Sequence, residues 1–488
     1  MAGRPAGEGG SLVVITHVID GEARKASDGR TFETVDPWRR SPWEEVALGT
    51  REDVGAAVAA ARRAFDDGPW PRMGLAERGR ILHRLAELIE AHADELAEAD
   101  TADMGKPLTD MKTKDVPRAA QNFRFFADHA RLSTADVYPM DSPHHAYTRY
   151  EPVGVVAAIA PWNFPLMLET WKVAPPLAWG NTVVLKPAED TPASASLLAH
   201  LALEAGMPRG VLNVLHGFGP DAAGQWLTEY PGVDRITFTG ESVTGRAIAR
   251  AAAANLTPVS FELGGKGANL VFADADIEAA VGWSLKAIFT NAGQVCLAGS
   301  RLYVENAVFD DFLDRFVAAA SAMRSGDPRD SSTEIGPLSS KAHYDKVTGY
   351  LDAIPGDGGR ILCGGAADDG TWVVRPTVVV DAPEDSRLCR EEVFGPVVTV
   401  APFSAEDEAV GLANDTPYGL NAMVFTENVR RAHRVAARLR AGTVWVNCFF
   451  VRDLRAPFGG VGDSGIGREG GDFSREFCTE PKAVVMEL

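Results

Sequence analysis

A chain of 488 residues is long for a single core, so two or more lobes with room for a cleft are expected. Its 48 basic and 67 acidic side chains leave a net charge of −19 spread over both halves without basic clusters, which argues against nucleic acid or an anionic membrane as the main partner. The five cysteines, at 296, 363, 389, 448 and 478, are odd in number and irregularly spaced with no CxxC pair, a usage that points to free thiols in the cytoplasm and to no zinc site.

The opening MAGRPAGEGGSLVVITHVIDGE carries an apolar run too short for an export signal or a bilayer span, and reads as a frayed lead into an edge strand. Residues 52–131 then space their apolar side chains three and four apart, as in LAERGRILHRLAELIEAHADELAEAD, predicting helices with one packed face. From 153 the pattern changes to short β-branched runs, VGVVAAIA, TVVLK, VLNVL, RITFT and VSFEL, separated by helix-length stretches. Such alternation predicts right-handed βαβ crossovers and a parallel sheet with helices on both faces. A second series runs from ANLVFA at 268–273 through RLYVE, VVTVAPF, NAMVF and GTVWVN, with the seam between the lobes at ELGGKG, 262–267. The fold class is therefore α/β, with two doubly wound parallel-sheet lobes.

Open doubly wound sheets bind ligands beyond the C-terminal ends of their strands. Asn163, Lys186 and Glu189, Gly217 and Gly219, Thr239 and Glu241, and Glu262 all stand just past such ends. Any one of them alone reads as a cap or turn residue, but five polar strand ends in register point to a ligand crevice. Two nucleotide motifs fail: GFGPDAAG at 217–224 spaces its last glycine too widely for the dinucleotide fingerprint, and GGKG lacks the Ser or Thr of a phosphate loop. GDSG at 462–465 has the form of a serine-hydrolase nucleophile segment, yet it sits in a glycine-rich loop with no identifiable histidine and aspartate partners. Cys296, in FTNAGQVCLAGS, differs from an ordinary core cysteine: Gly293 and Gly299 flank it, suiting a backbone that approaches a ligand closely and leaving its own amide free to meet an oxyanion.

Taken together, PWNFP (161–165), KPAE (186–189), FTG (238–240), FELGGK (261–266), GQVC (293–296), EEVFGPV (391–397) and PFGG (457–460) resemble the aldehyde dehydrogenase superfamily in order and spacing, over nearly the whole chain. The resemblance implies an NAD-binding domain at 1–131 and 151–262, a catalytic domain at 263–474, and a small β flap for oligomerisation at 132–150 and 475–488. It implies Cys296 as the nucleophile that forms a thiohemiacetal with the aldehyde, the Asn163 amide and the Cys296 N–H as oxyanion donors, and Glu262 as the base that lets water resolve the thioester to a carboxylic acid. Lys172 and Glu469 match proton-relay positions.

For the cofactor, the resemblance assigns Lys186 and Glu189 to the adenosine ribose, Trp162 and Phe238 to the lining, Glu392 and Phe394 to the nicotinamide end, and Gly219, Thr239, Gly240, Glu241 and Leu263 to the same site. Glu189 favours NAD over NADP, since a carboxylate accepts from a free 2′-hydroxyl and repels a 2′-phosphate. Glu241 is a departure, a carboxylate in FTGE where many members carry serine close to the pyrophosphate. VRDLR before PFGG, SGIGREGG and VPRAAQNFRFFA together resemble the subgroup acting on 2-hydroxymuconate and 2-aminomuconate semialdehydes. Arg452, Arg118 and Arg455 are then expected to hold a substrate carboxylate, although an ion pair between Asp453 and a neighbouring arginine is the plainer reading of VRDLR. The alternatives are a broad-range aldehyde dehydrogenase, a CoA-acylating member, which Glu262 argues against, and a catalytically silent binding protein. The apolar terminal strand KAVVMEL predicts a homodimer or homotetramer, because alone it would be an exposed sheet edge.

Overall fold

The computed structural model describes residues 14–367 and 369–488; the predicted lead at 1–13 lies outside them. The strand that follows is Val14–Ile15, at the edge of a three-stranded sheet and parallel to Ser41–Ala47, and the chain goes straight on into His17–Ile19, second from the edge of a larger sheet.

An eight-stranded sheet organises the first lobe. Its middle is parallel, in the spatial order Val259–Glu262, Arg235–Thr239, Val155–Ile159, Thr182–Lys186, Leu212–Val214. Successive side chains of a strand face opposite ways, and here both faces are covered: Val184 joins Val54, Val155 and Leu215 on one side, Val183 and Leu185 join Leu82 and Leu198 on the other. That is why these strands read as unbroken apolar runs rather than alternating ones. Helix Arg51–Asp66, which supplies Val54, begins at a capping box in which Thr50 accepts from the Asp53 amide and Asp53 reaches back to the Thr50 amide. The far edge of the sheet is closed by Gly465–Ile466, arriving from long after the second lobe. It runs antiparallel to Val259–Glu262, with Gly465 opposite Glu262.

The second lobe is a seven-stranded sheet ordered Arg360–Ala366, Val374–Val380, Val397–Phe403, Arg301–Glu305, Ala268–Val271, Asn421–Phe425, Thr443–Val446, parallel except for the first strand. It too is buried on both faces: Leu302 and Val304 pack with Phe312 and Phe316, whereas Tyr303 packs with Phe403 on the opposite side. A separate antiparallel sheet pairs Thr479–Glu487 with His144–Pro152, and His144–Pro152 with Val137–Tyr138. Among the described residues no helix is long and apolar enough to cross a membrane, and no cluster of His, Cys, Asp and Glu is arranged to hold a metal ion.

Candidate active site

The strand ends converge. Lys186, Thr239 and Glu262 are the last residues of their parallel strands, and Asn163 follows Val155–Ile159 in the turn that enters helix Pro165–Ala178. Asn163 is almost fully buried, and its Nδ2 donates to the Gln294 carbonyl at 2.9 Å while its own carbonyl accepts from Asn291 Nδ2 at 2.7 Å. The first-lobe turn is thus fastened to the segment that carries Cys296.

That segment leaves helix Ile277–Phe289 through a strained turn, with Asn291 and Ala292 at φ 53° and 52°. Gly293 follows at φ 70°, where an added Cβ would lie 2.1 Å from the Gly395 carbonyl oxygen. A Cβ on Gly265 would lie 2.3 Å from the Cys296 carbonyl oxygen. The close backbone approach predicted for the glycines around Cys296 is therefore made to other parts of the chain. Cys296 itself is half-buried, and its thiol is pushed up to about 12, first by burial and then by the Glu392 and Glu262 charges, against the pull of Arg452.

Two glutamates back the cysteine. Both carboxylate oxygens of buried Glu262 lack a hydrogen-bond partner, and burial followed by the Glu469 charge holds its carboxyl well above the ordinary range despite Lys172, Arg452 and Arg468. Glu469 accepts from Lys172 Nζ at 2.6 Å, Trp171 Nε1 at 2.5 Å and Thr237 Oγ1 at 3.2 Å. Lys172 and Trp171 come from the helix that Asn163 leads into, and a cavity lined by Lys172, Thr237, Ser260, Arg468, Glu469 and Ser474 opens behind the pair.

The arginines separate. Arg452 lies with its guanidinium 3.7 Å from the Phe458 ring centroid and 4.9 Å from that of Trp171, and its buried Nη2 has no partner. Burial and the nearby Arg118 charge lower it to about 10, while Glu262, Glu469 and Cys296 draw it up. Arg118 projects from helix Val116–Leu132, its Nε donating to Asn122 Oδ1 at 3.2 Å. Arg455 is not brought to this group: its side chain is 76% exposed and grips Asp453 at 2.6 Å, an arrangement set by the turn in which Asp453 also accepts the Arg455 amide. Of the three expected arginines, the structure gathers two, and Arg455 takes the plain surface pairing.

Along the crevice, buried Lys186 donates to the Pro187 carbonyl at 2.9 Å and lies 3.4 Å from half-buried Glu189. Open space faces Gly219. Phe238 and Leu263 are buried, Leu263 against the helix Ser242–Ala253 at Gly245, and the Gly240 amide donates to the Glu262 carbonyl at 3.1 Å beside Thr239. At the other end Trp162 meets Phe394 at 5.3 Å and His343 at 5.0 Å, and Glu392 accepts the Gly265 amide at 2.8 Å. Burial lifts Glu392 to about 7. Glu241 is exposed and turns away to Lys346, 3.2 Å off. A long polar crevice of this kind, with buried ammonium and carboxylates at its two ends and open backbone between, suits a dinucleotide.

A model of the aldehyde dehydrogenase family matches residues 24–484. The chain belongs to that family. Its activity is the NAD-dependent oxidation of aldehydes. This aldehyde dehydrogenase is 47% identical over 485 residues to 2-hydroxymuconic semialdehyde dehydrogenase of Pseudomonas sp. (strain CF600), covering 97% of this chain and 99% of the relative. It is 46% identical over 481 residues to 2-aminomuconic 6-semialdehyde dehydrogenase of a Pseudomonas species, covering 96% and 97%. It superposes on the NAD+ complex of the aldehyde dehydrogenase from Bacillus cereus with a TM-score of 0.95 at 41% identity, covering 97% and 96%.

The dehydrogenase site also holds side chains that sequence reading passed over. Trp171, which precedes the relay lysine Lys172, and Phe458, inside the PFGG stretch, both pack against Arg452 and were in reach of a closer reading. His343 and Lys346 carry no such signal, since their helix Lys341–Ala353 reads as an ordinary polar surface helix. Ser464 of GDSG is fully buried, donating to the Gly264 carbonyl at 2.6 Å and accepting the Gly419 amide at 2.9 Å, so it braces the turn after Glu262.

Proposed function

We propose that this aldehyde dehydrogenase oxidises a carboxylated, unsaturated semialdehyde of the 2-hydroxymuconate type to the diacid. The observation that carries the substrate class is Arg452, a half-buried guanidinium with a free buried donor, next to a second arginine and to Cys296. Two neighbouring cations at the cleft call for an anion, and a guanidinium packed against the Phe458 and Trp171 rings has an unpartnered N–H to offer a carboxylate with little entropy left to lose. The semialdehydes after which the two Pseudomonas relatives are named agree with this reading.

With the carboxylate on Arg452 and Arg118, the aldehyde carbon is oriented toward Cys296. In its ionised form Glu262, whose raised basicity and unpartnered oxygens suit it to receive a proton, takes the thiol's as sulfur adds to the carbonyl. The oxyanion that forms is met by the free N–H of the Asn163 amide and by the Cys296 backbone N–H. Lys186, Glu189 and Glu392 would hold NAD, with Trp162, Phe238 and Phe394 lining its path, and the bound cofactor would supply the acceptor for the hydride whose loss turns the thiohemiacetal into a thioester. The proton taken from the thiol passes to Lys172 and Glu469 and on toward the cavity behind them, which frees Glu262 to deprotonate the water that hydrolyses the Cys296 thioester. Glu189 next to the ribose disfavours a 2′-phosphate.

The test is kinetic. Wild-type kcat/KM should be much higher for 2-hydroxymuconate semialdehyde than for hexanal, and Arg452→Ala should cost about 1.5–3 kcal/mol on the former, mainly through KM. Equal handling of both aldehydes by both proteins would replace this reading with a broad-range enzyme, and recovery of an acyl-CoA on adding CoA would reassign the second half-reaction. We further propose division into the cofactor, catalytic and flap regions given above, a cytoplasmic location in keeping with five unpaired cysteines, and assembly as a homodimer or homotetramer. Val137, Tyr138, Val485 and Met486 leave apolar side chains of the flap sheet exposed, which pairing between subunits would cover.

A further inference from the structure

Helix Lys341–Ala353 of the second lobe reaches across to the first lobe twice. His343 packs 5.0 Å from the Trp162 ring, and one turn along, on the same side, Lys346 places Nζ 3.2 Å from Glu241 Oε1. Glu241 stands at the N-terminus of helix Ser242–Ala253, immediately after Thr239 and Gly240, yet it makes no capping bond to that helix. The carboxylate extends away from its own helix and over to the opposite lobe. The rest of that first turn is fixed elsewhere: Ser242 Oγ donates to the Asp463 carbonyl at 2.7 Å and Arg246 pairs with Asp463 at 2.6 Å, next to the strand Gly465–Ile466 that belongs to the first sheet. Both partners also bear electrostatically on Glu392, Lys346 drawing it down and Glu241 pushing it up, so the pair lies near the nicotinamide-end carboxylate.

We propose that Glu241 and Lys346 form a clasp across the dinucleotide crevice that governs how fast the cofactor enters and leaves. The inference rests on the cofactor placement proposed above. An unpaired carboxylate at this helix N-terminus would repel a diphosphate; paired with Lys346 its charge is offset and its side chain spans the gap. With the two side chains 63% and 37% exposed, the pair contributes little to folding stability. Its opening must nevertheless precede any passage through the gap. A contact of that kind slows entry and exit together and leaves the equilibrium affinity nearly unchanged.

Stopped-flow fluorescence of NADH binding, with release followed by displacement with excess NAD, tests this. Glu241→Gln should raise both the association and the release rate constants by about two- to fivefold, with Kd altered less than about twofold, and the gap from wild type should shrink as salt rises. The charge-swapped protein, Glu241→Lys with Lys346→Glu, should return both rates to within about twofold of wild type, a rescue that a merely structural role would not give. Slower release with tighter binding in Glu241→Gln would mean the carboxylate acts only by repulsion, and would overturn the clasp. Unchanged rates, or a swap that fails to rescue them, would do the same. A wild-type protein that bound no NADH at all would overturn the cofactor placement itself, and the clasp with it.

Discussion

Glu262 and Glu469 are both buried and close enough for one to feel the other's charge, yet their surroundings are opposite. Glu469 is held by three donors, one of them the ammonium of Lys172, whereas Glu262 has none and feels the Glu469 charge behind it. A carboxylate with its lone pairs taken is a fixed counter-charge. One left bare in a dry pocket has every reason to take a proton, and the cysteine beside it has one to give.

The largest test of that contrast removes the chemistry. Cys296→Ser should bind NADH with wild-type affinity and show no measurable turnover, and unchanged turnover would take Cys296 out of the mechanism. Glu262→Gln should lower kcat by about 10²–10⁴-fold, with acylated Cys296 found by mass spectrometry of the stopped reaction. A normal kcat would erase the distinction between the two glutamates. Glu469→Gln should slow hydrolysis through the relay and also weaken the fold, leaving Lys172 buried without its counter-charge at a cost of about 3–5 kcal/mol in chemical denaturation; an unchanged midpoint would show that the pair is not the anchor described here.

The raised Glu262 also predicts a sign. Above its unfolded-state pKa the unfolded chain loses this proton while the folded chain keeps it, so Glu262 weakens folding progressively as pH rises toward its folded value. Glu262→Gln should therefore gain stability over wild type as pH increases, and a gain that shrank instead would contradict the assignment. For the thiol at about 12, alkylation of the cofactor-free enzyme by iodoacetamide should keep rising between about pH 8 and about pH 10 without a plateau. The smallest effect is expected at Arg455, where replacement by Ala should leave the denaturation midpoint unmoved and kcat/KM on the carboxylated substrate within about twofold. A large loss there would return Arg455 to the substrate site.

Much of this was legible because parallel strands bring their C-terminal ends to one edge. Once the βαβ pattern is read, Lys186, Thr239 and Glu262 must be neighbours, whatever the connecting helices do. Arg452 and Arg455 show where such reasoning stops. They lie in an irregular segment with no periodicity, and Asp453 between them settles which one faces inward by a local turn that either arginine could have joined. The strand Gly465–Ile466 was equally hidden, since two residues in a glycine-rich loop carry no β signature and their partner lies some two hundred residues earlier. Lys346 required both lobes to be folded and docked before it had anything to meet.

That late return to the first sheet has a further consequence. Gly465 pairs with Glu262, Glu469 follows a few residues on, the helix Gly471–Cys478 comes next, and the flap strand Thr479–Glu487 continues from it without a linker. Asn181 holds the Cys478 carbonyl at 2.9 Å where helix passes into strand. The strand that backs the proposed base, the proposed relay carboxylate and the flap are strung on one length of chain. If the flap seals the subunit interface, assembly quality is mechanically transmitted to the position of a catalytic carboxylate, and fusions or deletions at the C-terminal end would be felt first as altered hydrolysis of the acyl-enzyme rather than as unfolding.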